Sequence, residues 1–247
     1  MEIVQINQIS PDQVIIWSWG FVKINATILY TWLVMAILVV GSWLVTRNLS
    51  SEINVSRWQH FLEVVISVIR GEINEMAKKG GDKYIPLIGT LFLFIGLSNI
   101  LVVVPGFVAP TSSITTTASL AICVFVAVPM YGISQNGLLH YLKEYFQPNF
   151  IFFPFHVMGE ISRTLALTVR LFGNIMSHEK VVGILLAVTP LLFPIIMQAL
   201  GLLIGIIQAY IFAILSMVYI ASATSAHEEG HKHEELHKAE ASQGVAA

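Results

Sequence analysis

The chain has 247 residues, of which 55% are hydrophobic and 11% are charged, and its formal net charge at pH 7 is −2. An ordinary soluble domain carries roughly 25% charged residues, so this composition excludes a soluble globular protein. The single cysteine, Cys123, lies in an apolar block, which excludes an internal disulfide framework and predicts a small core residue.

Apolar blocks of membrane-spanning length alternate with short connectors that hold most of the charge. This pattern predicts a single membrane domain with an all-α integral membrane fold: five transmembrane helices and one amphipathic surface helix. The predicted spans are residues 26–46, 86–104, 114–134, 150–188 and 190–223, with an N-terminal segment at 1–25 and a tail at 224–247.

The segment 56–79 has a different pattern from the spans. Its charged residues fill the positions between apolar residues that recur at helical spacing, namely Trp58, Phe61, Leu62, Val65, Ile69, Ile73 and Met76. Such a helix is expected to lie on the membrane surface.

The last two spans are longer than the ~20 residues that cross a bilayer. We therefore expect strong tilt, or extension beyond the hydrocarbon core, in a hairpin of two long helices. The connectors 47–83 and 135–149 contain Lys or Arg, whereas 105–113 and 189–194 are uncharged. The positive-inside rule then places the N-terminus outside and the C-terminal tail in the cytoplasm.

Arg170 lies near the middle of the apolar segment 150–188. An arginine at the bilayer centre costs about 2.5–3.5 kcal/mol, so its presence there is a functional hypothesis by default. Arg170 belongs to a polar stripe at spacings of three, four and seven, formed by His156, Glu160, Arg163, Arg170, Asn174 and Ser177. Glu179, nine residues after Arg170, projects from the opposite side of the same helix.

A sparser stripe on the last span consists of Gln198, Gly201, Gly205, Gln208 and Phe212. In a hairpin, Arg170 and Gln208 would share a depth in the membrane.

Several of these polar residues also have ordinary structural explanations. Arg163 can pair with Glu160, His156 can lie at an interface, and Gln198 can bond a neighbouring helix. Arg170 can reach the membrane surface along its own side chain, and Glu179 can mark a membrane boundary.

The tail contains four histidines among glutamates, which suggests either a metal site or a solvated, helical tail. We favour the tail without a metal; its histidines are His227, His231, His233 and His237.

The stretch ALTVRLFGNI at residues 166–175 resembles the signature of subunit a, or subunit 6, of F-type ATP synthases, and QAYIF at 208–212 resembles its second hallmark. The resemblance covers residues 58–223. It implies a subunit that lies against a ring of small hairpin c subunits and assembles with peripheral-stalk b subunits, the soluble F1 head and membrane lipid. It also implies translocation of H⁺ or Na⁺, most simply in a bacterial inner membrane rather than a thylakoid or mitochondrial one.

By the same resemblance, Arg170 faces the ring and separates two offset half-channels, and Glu179 is the acid of the outer one. Asn174 is then a channel or ring-facing group, and Gln208 is the partner of Arg170. Two departures from the family pattern are Gly201, where some bacterial members carry histidine, and Val102, where some carry aspartate. The residues that can substitute are His178, Asn99 and Ser98.

No phosphate-binding loop, catalytic triad or metal cluster occurs in the sequence, so we expect no catalytic site, no cofactor and no nucleic-acid partner. Two other functions remain open. A stand-alone proton-coupled secondary transporter would use Arg170 for an anionic substrate, although the absence of an internal repeat weakens it. A structural assembly factor would not need a buried arginine.

Overall fold

The computed structural model describes residues 15–19, 22–47, 57–76, 81–104, 106–137, 153–189 and 193–244. Within these residues, two strands precede six α-helices. The strands are β1 (Ile15–Trp19) and β2 (Val22–Asn25), and the helices are α1 (Ala26–Thr46), α2 (Arg57–Met76), α3 (Ile85–Leu101), α4 (Ile114–Asn136), α5 (Phe153–Val188) and α6 (Phe193–Gly244).

The two short strands precede the helices and were not predicted. β1 and β2 pair antiparallel, with Trp19 opposite Val22 and Ile15 opposite Asn25, and an irregularity lies between Ile15 and Trp17. Both strands are rich in β-branched and aromatic residues, which favour extended backbone. The spans were recognised by their apolar length, a criterion that cannot detect a short hairpin outside them.

In the described part of the chain, four helices contain stretches long and apolar enough to cross a membrane: Ala26–Leu44, Ile114–Ser134, Pro154–Val188 and Phe193–Ala223. A fifth apolar helix, Ile85–Leu101, is shorter, with 17 residues. The prediction of a multi-pass helical membrane protein is therefore confirmed.

The helix ends follow local signals in the sequence. Proline stands in the first turn of α3, where its missing N–H costs nothing. α4 ends at Asn136 because Gly137 adopts a φ of +81°, a conformation that glycine tolerates best. α6 continues without a break from its apolar part into the predicted tail, as far as Gly244. The tail side chains, including its four histidines, lie outside the described part of the chain.

The main core lies among α3, α4, α5 and α6, and Ile95, Leu171, Ala209 and Phe212 are fully buried in it. Contacts pair residues of α5 and α6 in opposite order, because Arg163 contacts Tyr219 whereas Asn174 contacts Gln208. These two long helices therefore run in opposite directions.

A second core joins α2 to the bundle through Ile73 of α2, Tyr84 and Ile88 before and within α3, and Met217 of α6. The predicted surface helix is therefore docked on the bundle through its apolar side, near the beginning of α3 and the end of the apolar part of α6. We call this the α2 end of the molecule.

An exposed ion pair also holds α2. The Arg70 Nη2 atom lies 2.8 Å from Asp82 Oδ1, and Asp82 raises the pKa of Arg70 by hydrogen bonding and charge.

The opposite end of the bundle is formed by a short 3₁₀ turn, Pro110–Ser112, before α4. We call it the turn end. The Tyr30 hydroxyl of α1 donates to the Gly106 carbonyl there at 2.9 Å, and the Tyr30 ring packs edge-on against Phe107. The turn is buried and contacts α5.

The outside of the bundle is strongly apolar. Trp32, Val39 and Leu44 of α1 and Val126 of α4 are among its exposed large side chains. Cys123 is exposed on α4, so the prediction of a core position is wrong. In a membrane protein an apolar residue does not have to be inside the protein, because lipid solvates the outer faces.

α3 and α6 approach closely at Gly205. A Cβ added there would lie 2.8 Å from Asn99 Cβ, and the Asn99 amide donates to the Gly205 carbonyl at 2.8 Å. We expect Gly205→Ala to destabilise the chain by about 1–3 kcal/mol, the usual cost of overpacking. The measurement is the temperature at which the chain in membranes loses its resistance to protease.

Gly183→Ala in α5 is the matched control, because an added Cβ there meets nothing within 4 Å. Alanine is also the better helix former by about 0.5–1 kcal/mol, so this variant should be as stable as the parent or more so. Equal stabilities for the two variants would show that the contact at Gly205 is not tight.

Candidate functional site

A cleft of about 410 Å³ lies between α3, α5 and α6 towards the turn end. We call it the polar cleft, because several of the residues proposed from sequence line it. These are Asn99 of α3, Asn174, His178 and Glu179 of α5, and Gln198 and Gly201 of α6. Residues separated by as many as 102 positions, Asn99 and Gly201, thus share one space.

Glu179 is half-buried between the cleft and the turn end. Its carboxyl interacts with the Ser112 side chain and the Ala109 backbone, both in or beside the Pro110–Ser112 turn. Hydrogen-bond donors of this kind stabilise a carboxylate inside an apolar bundle. The turn was predicted only as an uncharged connector, and Ser112 was not predicted to be part of the site. Its run of Thr and Ser was the available signal.

His178 fills the space that Gly201 leaves open. A Cβ built on Gly201 would overlap the His178 imidazole, so any larger residue at position 201 would displace the ring. The glycine on α6 and the histidine on α5 are therefore complementary. The imidazole is half-buried and lies in the polar cleft beside Glu179.

Asn99 and Gln198 connect the cleft walls. The Thr111 hydroxyl donates to Asn99 Oδ1 at 3.1 Å, which links the turn to α3. The Gln198 amide donates to the Val102 carbonyl at 2.9 Å, so the bond to a neighbouring helix considered above is present. Ser98 does not line the cleft, and its hydroxyl donates to the Phe94 carbonyl at 2.7 Å.

Asn174 lies at the deep end of the cleft and contacts Gln208. Its amide donates to Gln208 Oε1 at 3.3 Å, while the Gln208 Nε2 atom is buried and has no hydrogen-bond partner among the described residues. An unpaired buried donor costs about 1–3 kcal/mol, so packing alone does not explain a glutamine at position 208.

Arg170 is exposed, one helical turn before Asn174. Within the described ranges no hydrogen bond or ion pair to Arg170 occurs, and Gln208 bonds Asn174 rather than Arg170. The pairing of Arg170 with Gln208 stays a prediction. Because Glu179 faces the turn and Arg170 is exposed, α5 presents its acid and its arginine to different surroundings.

The remaining predicted residues lie nearer the α2 end, outside the polar cleft. Arg163 pairs with Glu160 at 3.0 Å and lies over the Tyr219 ring at 5.7 Å. His156 is exposed near the start of α5. The pairing of Arg163 with Glu160 considered above is thus confirmed. The polar stripe therefore divides into one group near the α2 end and another, with Arg170 and Asn174, nearer the polar cleft.

The arrangement has three parts along α5: a half-buried acid with a neighbouring imidazole, an amide pair, and an exposed guanidinium. Carboxyl and imidazole groups exchange protons, whereas an arginine effectively does not. Such groups are suited to moving a proton along the polar cleft as far as the permanent positive charge of Arg170.

Comparison with known proteins agrees with this geometry. The family described as "ATP synthase A chain" matches residues 28–221. A protein of Acaryochloris marina named ATP synthase subunit a 2 is 54% identical over 224 residues, which cover 91% of this chain and 96% of that protein. ATP synthase subunit a of Albidiferax ferrireducens is 53% identical over 92% of this chain and its own full length, 100%.

ATP synthase subunit a 1 of Chlorobaculum parvum is 51% identical over 90% of this chain and 98% of its own length. These relatives match along almost their whole length, and the matched family region contains α5, the apolar part of α6 as far as residue 221, and the polar cleft. The chain therefore belongs to the ATP synthase subunit a family.

Proposed function

We propose that this chain is the ion-conducting stator subunit of the membrane sector of a rotary F-type ATP synthase. The observation that carries the proposal is the division on α5, where Glu179 lines a polar cleft and Arg170 is exposed one turn beyond its deep end. Family membership supports the same function. The chain has no catalytic role of its own in this proposal.

The outer half-channel is assigned to the polar cleft. An ion from the outer side passes Glu179 and His178 and reaches Asn174, which lies next to the exposed surface near Arg170. His178 takes the place that a histidine on the last span holds in some relatives, because its ring occupies the volume beside Gly201. Asn99 and Gln198 orient the cleft walls through their bonds to the turn and to α3.

Arg170 separates the two half-channels. A carboxylate of the c ring that arrives beside the guanidinium is stabilised in its charged form and releases its ion. Arginine keeps its charge throughout, so it also repels any ion that would pass directly between the half-channels. Each charge moved across 100 mV is worth about 2.3 kcal/mol, and a direct leak would dissipate this energy without rotation.

The proposed topology has five spans. α3 is counted as one of them, because its 17 residues reach the lower limit of spanning length. The 36 residues of α5 exceed the bilayer thickness unless the helix tilts, which supports a tilted pair of α5 and α6. The turn end then faces outside, and the α2 end and the C-terminal tail face the cytoplasm.

The proposed partners are the ring of c subunits, the peripheral-stalk b subunits, the F1 head and membrane lipid. The proposed location is the bacterial inner membrane. The translocated ion is H⁺ or Na⁺, a choice that depends mainly on the ring's own carboxylate site. The names of the relatives support this assembly and give no support to a stand-alone transporter.

Co-purification tests the proposal against the transporter. A tagged chain, extracted in mild detergent, is expected to carry a c ring and an ATPase head with it, and the complex in vesicles should acidify the lumen when ATP is added. A monodisperse chain that transports a solute alone would contradict the proposal.

A further inference from the structure

A second groove, of about 590 Å³, lies at the α2 end between α2, α3 and α6. Its walls are apolar, with Val68 and Ile73 from α2, Phe92 from α3 and Met217 from α6. The groove is distinct from the polar cleft, since the two share no lining residue. We call it the α2 groove.

Two polar side chains line the α2 groove, Glu72 and Tyr210. Glu72 is half-buried, and its carboxylate interacts with the Tyr210 hydroxyl across the space between α2 and α6. Glu75, one turn further along α2, is exposed and acts on Tyr210 only through its charge. A carboxyl group at this contact between α2 and α6 can exchange protons, which makes Glu72 a candidate for proton transfer.

Tyr210 lies on an exposed face of α6 at about the depth of Arg170. On α6, Leu203, Ile207 and Tyr210 are exposed at spacings of four and three, so they share one face. Tyr210 is two residues beyond Gln208, whose amide partner Asn174 is one turn from Arg170. Glu72 therefore lies near the depth of Arg170, across α6 from it, on the side opposite to the polar cleft.

We propose that Glu72, positioned by Tyr210, is the proton-exchanging carboxylate of the inner half-channel. The inference rests on the proposed function and extends it to a residue of the docked helix. In the direction of ATP-driven pumping, Glu72 takes a proton from cytoplasmic water and passes it through water to the ring carboxylate that has left Arg170. In synthesis the same proton moves from the ring carboxylic acid to the Glu72 carboxylate and then to cytoplasmic water.

Tyr210 has a positioning role. In this proposal the Tyr210 hydroxyl, which interacts with the Glu72 carboxylate, holds the charged form towards α6 without supplying a proton for transport. Loss of the hydroxyl should therefore weaken proton exchange without removing the exchanging group.

The test compares Glu72→Gln with Glu75→Gln in the intact complex in vesicles. Glu72→Gln is expected to lower both ATP synthesis and ATP-driven pumping about a hundredfold or more, as loss of a proton-transfer group does. Glu75→Gln should remain at the parent rate. Tyr210→Phe should give an intermediate rate. The yield of c ring with each purified variant separates a conduction defect from an assembly defect.

A cysteine variant supplies a readout that a purely structural role would not affect. Cys123, the single cysteine of the chain, is first replaced by Ser. In that background, a charged, membrane-impermeant thiol reagent added from the head side should react with Glu72→Cys and block passive proton conduction. It should react with Glu75→Cys without blocking conduction.

Parent-like conduction by an assembled Glu72→Gln complex would overturn the inference, and so would a Glu72→Cys thiol that head-side reagent cannot reach. If Glu72→Gln fails to assemble, the inference is tested instead by the rate of Tyr210→Phe and by the thiol reaction of Glu72→Cys. Arg170→Ala run in parallel distinguishes the two proposals. Lost coupling in Arg170→Ala with normal coupling in Glu72→Gln would reject the role of Glu72 alone, whereas normal coupling in both would reject the stator function.

Discussion

Glu179→Gln is expected to reduce ion-driven ATP synthesis about a hundredfold, the lower end of what a positioned proton-transfer group contributes. Glutamine keeps the size of the side chain, and its amide can still bond at the Pro110–Ser112 turn, so the bundle should assemble. It cannot take up and release a proton. The measurement is ATP synthesis by purified complexes in vesicles under an imposed proton gradient, with head ATPase activity measured on the same sample.

Asp82→Asn is the matched control for the loss of one carboxylate. Asp82 is exposed and pairs with Arg70 on the surface, and surface ion pairs contribute little to stability. This variant should synthesise ATP at the parent rate. A Glu179→Gln complex that also does so would remove the polar cleft from the ion path, because no other carboxylate lines the cleft in the described part of the chain.

Arg170→Ala is expected to abolish coupled ATP synthesis, and Arg170→Lys should not restore it fully. Arg170 is exposed and lacks an ion-pair partner within the described residues, so its removal leaves no buried charge and should not unfold the chain. What is lost is a permanent charge with a planar array of donors, which lysine does not reproduce.

The control for Arg170 is Arg47→Ala. Arg47 lies at the end of α1 with its guanidinium 5.1 Å from the Trp43 ring, an exposed contact remote from the polar cleft. Removal of this cation should leave synthesis unchanged. Equal rates for Arg47→Ala and Arg170→Ala would show that the charge at position 170 has no special role.

Much of the fold could be predicted from sequence because a membrane makes apolar length a direct signal. The start of α1 at residue 26 and the start of α4 at residue 114 were predicted at the residues where the structure has them. The hairpin of β1 and β2 was missed, since it lies outside every apolar block. Cys123 was misplaced, because lipid and protein interior both select apolar neighbours.

The individual residues of the candidate site could be predicted, but which of them lie next to each other could not. Helical spacing correctly separated Glu179 from Arg170, because a phase difference along one helix needs no tertiary information. It could not show that His178 fits against Gly201, or that Thr111 and Ser112 border the cleft. Those facts depend on how the Pro110–Ser112 turn and α6 pack against α5.

The docking of α2 was the least predictable feature. Its amphipathic pattern is shared by helices that lie on lipid and helices that pack on protein, so the prediction from sequence was only a helix on the membrane surface. Ile69 and Ile73 bury their side chains against the bundle, and this contact brings Glu72 next to Tyr210. The role proposed for Glu72 therefore comes from the structure.

The central claim is that Arg170 couples ion flow to rotation by separating two half-channels. The most direct measurement records ATP synthesis and passive ion leak on the same vesicles, which contain the intact complex with Arg170→Ala. If Arg170 separates the half-channels, we expect no synthesis together with a changed leak through the membrane sector. Synthesis at the parent rate with an unchanged leak would contradict it.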